Sequence, residues 1–155
     1  MTLMKIRIAG YPLGIWIAFL ALSSLMLAWC MQAYSLYDWD SAVNLGLQNE
    51  RFTGDAAERA WALESRGVAL ADLLWPLPLC IVAFIGLLRR CFYGLIAGFM
   101  ALAVGVYFPL VFAFQRWPAY PGTVITAILL WIVPSLAGTV GLWINRDEFA
   151  ARSFQ

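Results

Sequence analysis

VALADLLWPLPLCIVAFIGLLRR, Val68 to Arg90, is the stretch on which the reading of this chain turns. It supplies the run of about 20 apolar residues that a transmembrane helix needs. One acid, Asp72, and the prolines Pro76 and Pro78 lie toward its first end, and Arg89 and Arg90 close it. A helix of this kind needs lipid or other apolar helices on every side, so the rest of the sequence is read for what surrounds it.

The composition agrees. Of 155 residues 63% are hydrophobic and 12% charged, against about 25% charged in soluble domains. The expected fold is an all-α integral membrane protein: a four-transmembrane-helix bundle with spans at about 8–33, 68–88, 91–114 and 123–144, and one long outer loop, 34–67, containing a short helix. At about 20 residues per span the length is consumed by this single membrane domain, leaving no soluble catalytic domain. The formal net charge of +1 gives no basic surface for nucleic acid. The chain has no histidine, which excludes His-ligated haem and the usual His-containing zinc sites and removes the commonest general base near neutral pH. Cys30, Cys80 and Cys91 fall inside or at the edge of spans and read as small apolar residues rather than disulfide partners. No cofactor and no metal is expected.

Working outward, Lys5 and Arg7 precede the first apolar run, which is longer than the 7–15 residues or so of a signal-peptide core and reads as an uncleaved anchor. Leu27–Cys30, LAWC, is no lipoprotein box, because Trp29 stands where a small residue is required. Ser23 and Ser24 read as helix-packing residues. The loop opens on the interfacial aromatics Tyr34, Tyr37 and Trp39. Asp55 with Glu58 has capping-box spacing and predicts a helix over 56–66, lying on the membrane and bending at Gly67 into the second span. Asp38, Asp40 and Asn44 lack the remaining ligands of a calcium loop and read as a solvated acidic segment.

Beyond Arg90 the third span carries Gly94, Gly98, Ala101 and Gly105 on one face, a small-residue stripe that lets helices approach closely, within the bundle or in a homo-oligomer or partner contact. Pro109 predicts a bend. QRWPAYPG, Gln115 to Gly122, reads as a turn, and the fourth span contains Pro134 and Ser135. If the N-terminus is cytoplasmic, Lys5, Arg7, Arg89, Arg90, Arg146 and Arg152 all lie inside, which fits the positive-inside rule and a bacterial inner (cytoplasmic) membrane with both termini cytoplasmic.

Asp72 is the candidate site. It is the only acid within an apolar span, and an ionisable group at mid-helix costs about 2.5–3.5 kcal/mol on insertion scales, less near the interface. Antiparallel neighbours bring Gln32, Tyr107, Arg116 and Thr126 to its depth, Trp75 lies one turn on, and Arg116 is the expected cation. The group reads either as a polar tie that fixes helix packing or as a ligand pocket opening outward. The eight tryptophans are spread over spans and loops and read mainly as interfacial belt and packing.

The order of span, long outer loop, tight inner turn and short outer turn resembles the topology of claudin-type tetraspan proteins. The paired cysteines of their outer loop are missing from residues 34–67, so the likeness stops at topology and no family follows. The functional expectation is a four-span protein without catalytic motifs, either a subunit of a membrane complex or a binder of a lipid or apolar ligand in the bilayer. A transporter or channel subunit that uses Asp72 for proton or cation coupling is the alternative. A lipid-directed enzyme is the least supported, since no second acid, histidine or nucleophile accompanies Asp72.

Overall fold

The computed structural model describes residues 3–150, and within them the chain is mostly helical. Two compact units form, one from residues up to Leu25 together with those from Leu79 onward, the other from Met26–Pro78. Four helical segments are long and apolar enough to cross a membrane: Leu13–Tyr37, Ala56–Leu88, Phe92–Arg116 and Pro121–Ile144.

The first apolar run does not start as a helix. Arg7–Ile8 (β1) pairs antiparallel with Tyr11–Pro12 (β2) through a turn whose two central residues, Ala9 and Gly10, have φ of 48° and 84°. Positive φ at both centres is the requirement of a type I′ turn, which Gly10 meets without steric cost. Helix α1, Leu13–Tyr37, then begins behind Pro12. The expected start near Ile8 is therefore displaced to Leu13, because a Gly turn and a proline outweigh apolar composition.

In the unit around this hairpin, α4 (Pro76–Leu88) contributes its residues from Leu79, and packs on α5, Phe92–Arg116. The expected tight turn joins them, with Arg90 in the left-handed region at φ 52°. A methyl built on Gly94 would land on the backbone of Gly86, so these helices touch backbone to backbone. Gly98 faces Leu142 and Leu87, and Gly105 faces Leu25 and Ser135. Gly94, Gly98 and Gly105 of the stripe thus face groups of the same chain, and Ala101 between them is buried.

The fourth segment is three pieces: α6, Pro121–Ala127, a π-helical stretch Ile128–Ile132, and α7, Val133–Ile144. Pro134 explains the interruption, since it has no N–H to give to the carbonyl of Leu130. The hydroxyl of Ser24 donates to that carbonyl instead, at 3.3 Å. Close approach recurs where Gly14 meets Gly141, 2.8 Å from a methyl on Gly14 to the Gly141 Cα. Asn145, buried at the end of α7, donates to the carbonyls of Gly141 (2.8 Å) and Met4 (3.2 Å). Arg7 and Arg90 both pair with Glu148 of the short helix α8, Asp147–Ala150, and both donate to the Gly10 carbonyl.

The other unit holds the last turns of α1, then α2, Trp39–Asn44, and α3, Ala56–Leu74. Asp38 caps α2, its carboxylate accepting from the Ser41 amide at 3.1 Å and the Ser41 hydroxyl at 2.6 Å. Those bonds hold the Asp38 carboxyl below its ordinary pKa. Asp55 caps α3 as its spacing predicts, accepting from the Glu58 amide at 2.9 Å, while Glu58 reaches back to the amide of Arg51 rather than of Asp55.

Helix α3 does not bend at Gly67. It runs through to Leu74, and the break falls at Trp75, which has φ −125° and ψ −62° before Pro76 opens α4. The reason is local. Glycine alone weakens a helix by about 1 kcal/mol, whereas proline removes a bond and drives its predecessor out of helical geometry.

Candidate functional site

Asp72 occupies the last full turn of α3, on the same face as Ala62 and Ala69. That face is turned inward, and Asp72 is 6% exposed. From α1, the side chains that meet its carboxyl are Gln32 and Trp29, spaced three apart on one helical face. Trp29 offers only a donor, its indole N–H, and Gln32 both a donor and an acceptor.

The polar groups do not balance. Asp72 Oδ2 and Gln32 Oε1 are both buried without a hydrogen-bond partner. Pro76 has no N–H to return to the main-chain carbonyl of Asp72, four residues before it. Within the unit Met26–Pro78 no ion pair of Asp72 is formed among the described residues. The group is rich in acceptors and short of donors, and it sits at the C-terminal, partially negative end of a 19-residue helix.

A polar row continues along α1. Ser35, buried one turn beyond Gln32, donates to the Met31 carbonyl at 3.0 Å and accepts from Gln48 at 3.2 Å. Nearby in sequence, Glu50 is buried at 2% exposure, and its carbonyl accepts the Trp39 indole N–H at 2.8 Å. Trp39 also packs on Phe52, ring centroids 5.2 Å apart.

Of the residues expected beside Asp72, the structure places Gln32 there. Trp75 follows on the α3 cap and is exposed. Tyr107, Arg116 and Thr126 belong to the unit built on α5 and α6. Tyr107 is exposed at 69%, Arg116 is buried at the end of α5, and the exposed Thr126 donates its hydroxyl to the Gly122 carbonyl at 3.0 Å. Sequence reasoning missed Trp29 as a partner of Asp72 and passed over Glu50. The three-residue spacing of Trp29 and Gln32 was the available signal for the first. For Glu50, set among Gln48, Asn49 and Arg51, no local signal exists.

No group of His, Cys, Asp and Glu among the described residues is arranged to hold a metal ion. A cavity of about 200 Å³ opens in the other unit beside Lys5, Arg7, Asn145, Asp147 and Glu148. There Glu148 is already neutralised by two arginines. Comparison with known proteins finds no matching family model, no similar curated protein and no similar solved structure.

Proposed function

We propose that this chain is a non-enzymatic integral membrane protein of four spans that binds an apolar molecule, with Asp72 receiving a hydrogen-bond donor on that molecule. The observation that supports it is the unsatisfied, buried Asp72 Oδ2 beside an equally unsatisfied Gln32 Oε1. An acceptor left bare in an apolar interior costs about 1–3 kcal/mol, more when charged, and a ligand that supplies the donor recovers that cost. In this reading the bilayer surrounds the four apolar segments, the termini are cytoplasmic, and the stretch between the first two, residues 38–55, faces outward.

The test is native mass spectrometry of wild-type and Asp72→Asn protein released from membranes in mild detergent. Wild type should carry one small molecule per chain, and the variant, with unchanged circular dichroism and elution, should be empty. A wild type without adduct, or an adduct retained by the variant, overturns the proposal. Ion uptake in proteoliposomes abolished by Asp72→Asn would replace binding by the coupling role of a transporter or channel subunit.

A further inference from the structure

We infer that the group received at Asp72 is a primary ammonium carried on an apolar body, the head of a protonated long-chain amine. This rests on Asp72 being a binding position and adds the charge and chemistry of what it binds.

The unfilled atoms define the missing group by elimination. Two buried acceptors without a partner lie on α3 and the facing α1 residue, Asp72 Oδ2 and Gln32 Oε1, and Pro76 offers no N–H to the Asp72 carbonyl. No cation of its own unit, Met26–Pro78, pairs with Asp72 among the described residues. The end of α3 adds partial negative charge from its last carbonyls, which favours a cation. A hydroxyl would bring one donor and no charge, and a carboxylate would bring the wrong charge. A quaternary ammonium would bring charge without an N–H. A primary ammonium brings a full positive charge, three donors and no acceptor, and a lysine-like amine, with a pKa near 10.4, is protonated at neutral pH.

The remainder of such a molecule has somewhere to lie. Leu74 and Trp75, two and three residues further on in sequence at the break between α3 and α4, are exposed at 79% and 63% and present apolar surface there. Trp29, already against the carboxyl, is a ring type that attracts cations to its face.

The full-length protein in lipid nanodiscs is titrated with dodecylamine, dodecanol, dodecyltrimethylammonium and sodium chloride, following thermal unfolding and, by native mass spectrometry, adduct formation. Dodecylamine should raise the melting temperature and give a 1:1 adduct, at concentrations where dodecanol and dodecyltrimethylammonium do neither. Asp72→Asn should weaken the amine at least tenfold. Gln32→Met, which keeps the acid and removes one acceptor, should weaken it roughly tenfold and serves if the first variant fails to fold. Equal binding of dodecanol, lost in Asp72→Asn, overturns the ammonium while leaving Asp72 as a binding position. Equal binding of dodecyltrimethylammonium overturns the need for N–H donors. A response to sodium with the amine silent overturns it in favour of a bare ion. Absence of any Asp72-dependent binding removes both the inference and the function on which it rests.

Discussion

Ser24 shows how much one hydroxyl settles in an apolar helix. Its donation to the Leu130 carbonyl answers the bond that Pro134 deletes, so Ser24→Ala should cost about 1 kcal/mol in reversible unfolding from detergent. Ser23→Ala, at an exposed neighbour, should cost nothing measurable. A second residue-level test concerns acid. The Asp38 carboxyl is held below its ordinary pKa by Ser41, so its stabilising effect is complete above the unfolded carboxylate value, near 3.9, and is lost as pH falls through the lower folded value. Melting temperature should fall at that acid limb in wild type and fall less steeply in Asp38→Asn. At this scale the sequence was legible where a residue contradicts its surroundings. Asp72 stands out because it interrupts an apolar run, and Asp55 because its cap is written three residues away. Ser24 could be seen only as a packing residue, since its acceptor lies 106 residues distant, and Glu50 is hidden because a polar loop makes an acid unremarkable whether or not it is buried.

Among the elements, glycines separate into those that space helices and those that merely occur. No heavy atom of the surroundings lies within 4 Å of a methyl built on Gly67, in the middle of α3, so Gly67→Ala should stabilise by about 0.5–1 kcal/mol. Gly94→Ala should do the reverse, because its methyl would meet the Gly86 backbone, which cannot rotate away as a side chain can. Chemical unfolding of both variants in one detergent checks the opposite signs. Helix existence and the small-residue face of α5 were readable from periodicity and residue size. Boundaries were less so. Ile8 and Tyr11 are as apolar as helix residues, and only the backbone shows Ala9 and Gly10 turning left-handed. Gly67 is equally instructive, for a glycine followed by good helix formers and a cap upstream remains inside its helix, while Trp75 yields because Pro76 follows it.

For the whole molecule, charge distribution gives the topology a direct test. In a background without Cys30, Cys80 and Cys91, Thr53→Cys, exposed in the loop before α3, should react with an impermeant maleimide on intact cells, whereas Arg89→Cys should react only after permeabilisation. Labelling of Arg89→Cys from outside would invert the orientation. The continuity of α3 has a mechanical consequence as well. From Ala56 to Asp72 it is one hydrogen-bonded rod, about 24 Å long at 1.5 Å per residue, with its compliant point at Trp75. Pushing or twisting the Ala56 end would not be absorbed at Gly67. It would be delivered, lever-like, to the turn that holds the acid.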